Sequence, residues 1–136
     1  MASTVQPSID QIKLAMASIN DLFNSEVIGK RNFSALDRIY TSDARILPPG
    51  SPAISGREGI KKFWSELVTA ANPKSAVMTS MDIIPAGDGV VEIGKAVMTM
   101  ESEGQSGAQM EVKYLVYWRT EDGLWKWHVD IWNQNA

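Results

Sequence analysis

The stretch 113–133, "KYLVYWRTEDGLWKWHVDIWN", decides how the chain is read. At its centre Asp122-Gly123 is flanked on both sides by alternating large and polar residues. Asp-Gly in that setting signals a β-hairpin closed by a two-residue turn, with Glu121 opposite Leu124. Alternation then sorts the two strands into faces. One face collects Met110, Val112, Tyr114, Val116 and Trp118 with Trp125, Trp127, Val129 and Ile131. The other collects Lys113, Leu115, Tyr117 and Arg119 with Lys126, His128, Asp130 and Trp132. A three-residue loop closed by a glycine bulge would mix these sets. Because burial penalises a one-residue slip, the register that separates apolar from polar side chains is preferred.

Upstream, the same strand character extends back to Lys74. Four stretches, about 74–85, 89–101, 109–119 and 124–133, are divided by "AGDG", "EGQSG" and "EDG", each a turn composition. Short connections between successive strands predict an antiparallel meander. Before Lys74 the period changes. Ile9, Ile12, Met16, Ile19 and Phe23 recur at steps of three or four after a Ser8–Gln11 capping pattern, and Gly29 is a natural stop. "FSALDRIY" reads as a short second helix with Phe33, Leu36, Ile39 and Tyr40 turned inward. The apolar piece "ARIL" runs into "PPGSP", where proline and glycine dictate a loop. A second capping box, Ser55 to Glu58, is expected to open a helix that buries Ile60, Phe63, Trp64, Leu67 and Val68 and ends before Pro73. The class is α+β: N-terminal helices packed on a curved antiparallel sheet of about four long strands.

Composition narrows the chemistry. With 136 residues the chain reads as a single domain over 1–136, large enough to bury a core without cross-links. A net charge of −3 and the lack of a basic run point away from nucleic acid and from anionic membranes. Cysteine is absent, which removes disulfides, thiol nucleophiles and thiolate metal sites. A single histidine, His128, rules out a histidine-rich metal centre, so no metal and no cofactor is expected. No run approaches a membrane span, and the N-terminus lacks a signal-peptide pattern, so the expected location is cytoplasmic.

The order of these segments, with "YTSDARILPPGSPAISGREGIKKFW" at 40–64 and the terminal hairpin at 113–133, resembles the SnoaL-like and ketosteroid-isomerase-like proteins of the nuclear transport factor 2-like superfamily. The landmarks are Asp43-Ala44, Pro49-Gly50, Ser55-Gly56-Arg57 and Asp130-x-Trp132-Asn133. The resemblance implies a cystatin-like cone with a ligand-binding cavity between helices and sheet, in a homodimer paired sheet to sheet. It also implies that Asp130 faces the cavity, with Trp64 lining it and Leu47 and Pro48 at its wall. Ketosteroid isomerases use an aspartate base with tyrosine and aspartic acid donors. Here those places fall near Leu47 or Pro48, near Leu22 or Phe23, and near Leu115, all apolar, so that reaction is not expected. The acid that SnoaL-type cyclases carry on the final strand is matched by Asp130.

The expected site therefore has Asp130 and His128 as its catalytic groups. Tyr117, Lys113, Trp132, Trp64, Leu47 and Leu115 are the ligand-binding ones. Asp130 can instead be a structural carboxylate held by Lys113 across the strands, and His128 a partly buried ring beside Tyr117. Two functions follow. The first is a small-molecule-binding protein, as an enzyme acting by acid–base chemistry on an apolar carbonyl- or hydroxyl-bearing compound. The alternative is a non-catalytic association module that dimerises through its sheet.

Overall fold

The computed structural model describes residues 8–100 and 107–135. Most of the expected turn at 103–107, and residue 101 of the second long strand, lie outside them. Helix α1 spans Ile9–Leu22. Its capping box forms as read: Gln11 N–H donates to Ser8 Oγ at 3.2 Å, and Ser8 N–H donates to Gln11 Oε1 at 2.9 Å. The helix widens into a π-helical segment over Phe23–Gly29, where Lys30 N–H donates to the Ser25 carbonyl. Phe23, Val27 and Ile28 are buried there.

The second helix is shorter than its sequence suggests. A 3₁₀ turn at Phe33–Ala35 leads into α2, Leu36–Ile39, and Tyr40 already opens strand β1, Tyr40–Leu47. Tyr40 is nevertheless fully buried. A two-residue strand β2, Ile54–Ser55, pairs with β1. Because Ser55 is in that strand, it does not cap the next helix. Gly56, with φ 86°, holds the cap position of α3, Arg57–Ala71, and no side chain caps it. The expected Ser55–Glu58 box is thus corrected. Asn72 ends α3 in the left-handed conformation, φ 49°, just before Pro73.

The long strands are β3, Pro73–Ala86; β4, Gly89–Met100; β5, Gln109–Glu121; and β6, Leu124–Gln134. They form the expected antiparallel meander, and β1 adds to β6 in parallel, giving the order β2-β1-β6-β5-β4-β3. The architecture is α+β, with the helices on one face of a six-stranded, mostly antiparallel sheet. Register shifts in β1, β3 and β6 bend that sheet around the helices. Among the described residues no helix is long and apolar enough to cross a membrane.

Glu121 pairs with Leu124, and both turn residues take positive φ, Asp122 at 55° and Gly123 at 78°. This is the two-residue turn that the sequence predicts. The register then changes. Trp118 pairs with Trp127, but Tyr117 pairs with Val129, so His128 is an extra residue in β6. From there on the faces expected for β6 are exchanged: Asp130 and Trp132 join Val112, Tyr114, Val116 and Trp118 under the helices. The cause lies in the spacing. Trp127 and Trp132 are five residues apart, an odd interval, and a strand can turn both toward one core only by inserting a residue between them.

Candidate functional site

On the inner face, Glu92 of β4, Val116 of β5, Asp130 of β6 and Ile46 of β1 form one cross-strand row. Two carboxylates therefore sit in the core, Glu92 at 0% and Asp130 at 5% exposure. Burying a charge is costly unless donors compensate it, and the two are treated differently.

Glu92 is fully engaged. Tyr114 Oη donates to its Oε2 at 2.8 Å, Trp118 Nε1 to Oε1 at 3.0 Å, and Asn20 Nδ2 to both oxygens at 3.2 and 3.5 Å. Trp127 Nε1 in turn donates to Asn20 Oδ1 at 3.2 Å. Gly94 makes this possible: a Cβ there would lie 2.4 Å from the Tyr114 hydroxyl, so only glycine leaves room for the ring to cross β4.

Asp130 has one donor. Tyr40 Oη donates a hydrogen bond to Oδ2 at 2.6 Å and accepts one from Trp64 Nε1 at 3.1 Å. Among the described residues no donor reaches Oδ1. Burial pushes the Asp130 carboxyl up to about 7; the Tyr40 bond opposes that rise and the Glu92 charge adds to it. Burial, then the Asp130 charge, also raises the Tyr40 hydroxyl above its ordinary range. Asp130 is thus a carboxyl that changes charge near neutrality.

Asp130 borders a small hollow of about 50 Å³ between helices and sheet, walled by Phe23, Trp64, Met78, Tyr114 and Trp132 among others. A larger recess of about 300 Å³ adjoins it, sharing Trp64, Met98, Val112 and Trp132, and runs out past Pro48, Phe63 and Leu67. Aromatic rings line both spaces. Phe23 meets Trp64 edge-on at 5.0 Å, and Trp64 stacks on Trp132 at 5.2 Å.

The structure brings together Asp130, Trp64 and Trp132 from the expected set. It separates the rest from them. Lys113, Leu115 and Tyr117 lie on the outer face of β5, since their neighbours Val112, Tyr114, Val116 and Trp118 fill the inner one. Lys113 stands opposite Asn133 and Lys95, so it does not hold Asp130. Leu47 pairs with Ile131 on that outer face, whereas Pro48 borders the recess. His128, displaced by the bulge, sits at the β1 side. Its Nδ1 is 2.8 Å from Thr41 Oγ1 and 3.7 Å from Asp43, and its ring is 6.1 Å from Tyr117. It does not share a chamber with Asp130.

Tyr40, Glu92, Tyr114 and Asn20 also belong to this polar interior, and none was singled out in the sequence as a site residue. Glu92 carried a signal, a lone carboxylate inside "GVVEIGKAV". No cluster of metal-binding side chains occurs among the described residues.

A family model described as a SnoaL-like domain matches residues 20–128. No curated protein matches the chain. Many solved structures share its fold. Hexachlorocyclohexane dehydrochlorinase LinA-type3 from Novosphingobium barchaimii LL02 is 19% identical, covering 92% of this chain and 87% of its own, with a TM-score of 0.72. An NTF2-like protein from Cytophaga hutchinsonii is 16% identical over 94% and 99%, with a TM-score of 0.70. A protein with a cystatin-like fold from Caulobacter vibrioides is 8% identical over 91% and 89%, again with a TM-score of 0.70. At these identities the likeness is one of fold.

Proposed function

The chain belongs to the SnoaL-like domain family of the nuclear transport factor 2-like superfamily, and on that premise we propose that it binds a small apolar molecule and moves a proton on it with Asp130. The observation that carries this reading is a buried carboxyl beside a hollow, titrating near neutrality, with one oxygen held by Tyr40 and the other without a donor among the described residues. A group poised near the working pH serves as both base and acid. On a carbonyl compound, the Asp130 carboxylate would take a proton from the carbon beside the carbonyl, and the carboxylic acid would return it to the same or a neighbouring atom. Tyr40 fixes the carboxyl's orientation and Trp64 fixes Tyr40. A fold neighbour named as a dehydrochlorinase of hexachlorocyclohexane supports an apolar guest in this architecture.

The test is hydrogen–deuterium exchange. A panel of ketones incubated with the protein in D₂O should lose α-protons by NMR, and Asp130→Asn should stop the exchange while leaving binding intact. Exchange that persists at the wild-type rate in Asp130→Asn would remove Asp130 from the chemistry.

A second reading concerns assembly. The outer face exposes Ile93, Leu115, Ile84 and Val77 at 37–54% of their surface, and Ile93, Leu115 and Ile131 form one row. That exposed apolar row favours a homodimer paired sheet to sheet. Sedimentation showing a monomer at micromolar concentration would count against it.

A further inference from the structure

The bulge at His128 faces a second one in β1. Between the pairs Tyr40–Trp127 and Arg45–Val129, β1 has four residues where β6 has only His128. On the other side, between Trp118–Trp127 and Tyr117–Val129, β5 has none. His128 thus stands unpaired toward both neighbouring strands. The β1 stretch is nonetheless well held. Arg57 donates to the Tyr40 carbonyl at 3.0 and 3.2 Å, Ser42 N–H to Glu121 Oε2 at 2.8 Å, and Gly56 N–H to the Ala44 carbonyl at 2.8 Å. Backbone groups taken off the ladder have partners elsewhere, as a built irregularity requires.

One side-chain bond joins the two bulges. Thr41 is 3% exposed, and its hydroxyl lies 2.8 Å from Nδ1 of His128. No other hydrogen-bond partner reaches that hydroxyl among the described residues, and a buried hydroxyl left without one is costly. The bulges also decide where Asp130 points. Trp127 and Asp130 are three residues apart, an odd interval that regular alternation sends to opposite faces. With His128 set aside the interval becomes even. Asp130 then joins Trp127 and Tyr40 on the inner face, where Tyr40 Oη reaches it at 2.6 Å.

We propose that Thr41 and His128 are positioning residues for Asp130: the bond between them pins the facing bulges that turn the carboxyl inward onto Tyr40. Neither side chain lines the spaces beside Asp130, so both act through it and not on a ligand. The inference rests on the function proposed above only in taking Asp130 as the proton-transfer group. Without the pin, the bulges relax and water reaches the carboxyl. Burial is the chief cause of its raised value and the Tyr40 bond the lesser, opposing one, so exposure lowers the midpoint.

Carbon-13 titration of labelled aspartate side chains in the whole protein, with Asp130→Asn to assign the signal, reads this directly. Thr41→Val keeps the shape and removes the hydroxyl; it is expected to lower the Asp130 midpoint by about one pH unit. Thr41→Ser should keep the wild-type value. His128→Phe should lower the midpoint by a similar amount, whereas loss of an imidazolium charge alone would raise it. In the double variant the fall should be no larger than in either single one. Ser8→Ala weakens α1 at its cap, controls for lost stability and should leave the midpoint in place. An unmoved midpoint in folded Thr41→Val and His128→Phe would overturn the proposal, as would falls that add in the double variant or an equal fall in Ser8→Ala. If circular dichroism shows Thr41→Val unfolded, His128→Phe decides. Should the wild type exchange no ketone protons while these midpoints fall, the proposed function fails and the positioning stands. Ketone exchange with unmoved midpoints sinks the positioning alone.

Discussion

Two carboxylates share one row of the sheet and one core, yet Glu92 and Asp130 live in opposite circumstances. Donors from α1 and β5 saturate Glu92, and Gly94 clears the approach of one of them. Among the described residues Asp130 has a single donor, and it borders a hollow. The first arrangement is what a structural buried acid needs. The second leaves a group incompletely compensated, which proteins tolerate mainly where a ligand or a proton will complete it. The proton chemistry proposed above thus falls to the poorly satisfied member.

That contrast can be broken at several points. The largest loss of stability should come from Glu92→Leu, which strands the donors of Tyr114, Trp118 and Asn20 in the core. Urea denaturation should show a loss of about 3 kcal/mol or more, and a near-neutral result would mean that the network is not structural. Asp130→Asn should act in the opposite direction and only in part of the pH range. With its folded value raised from 3.8 to about 7, ionised Asp130 costs the folded state nothing below about pH 4. The cost grows as pH rises to 7 and is constant above it. The substitution should therefore be nearly neutral at pH 4 and stabilise by about 4 kcal/mol at pH 8. A pH-independent effect would contradict it.

Smaller changes sharpen the same comparison. Gly94→Ala pushes on the Tyr114 hydroxyl and should cost about 1–2 kcal/mol, with Asp130 titration little changed. Tyr40→Phe should cost about 1 kcal/mol and move the Asp130 midpoint upward, because the bond it removes favours the carboxylate. Away from both acids, Glu121 receives bonds from Ser42, Lys126 and Arg57, the Ser42 backbone N–H first among them, and is held down at about 2. Its contribution is complete above the ordinary carboxylate range and should fade between about pH 4.5 and 2. Glu121→Gln should flatten that part of the acid denaturation curve.

Much of the fold was legible because local rules and global packing agree. The Ser8 capping box, the Asp122-Gly123 turn and the four long strands follow from residue types at fixed offsets. The site was legible only in part, since one inserted residue reverses every face beyond it. Strict alternation put Asp130 with Lys113 and Tyr117, whereas the bulge at His128 puts it with Tyr114 and Val116. The odd interval between Trp127 and Trp132 was the available clue. Tyr40 was hidden for another reason. Its partner lies 90 positions away on a parallel neighbour, a pairing no local pattern encodes. Ser55 misled because a serine three residues before a glutamate caps a helix only if its backbone is free, and here it is committed to β2.

The central claim is that Asp130 is a sheltered carboxyl which exchanges its proton near neutrality while facing open space. Carbon-13 NMR of labelled aspartate side chains across pH 3–9, with Asp130→Asn to assign the signal, tests it most directly. A midpoint near 7, moving when a ketone that binds is added, is the expected result. A midpoint near 3.8, indifferent to ligand, would contradict the account.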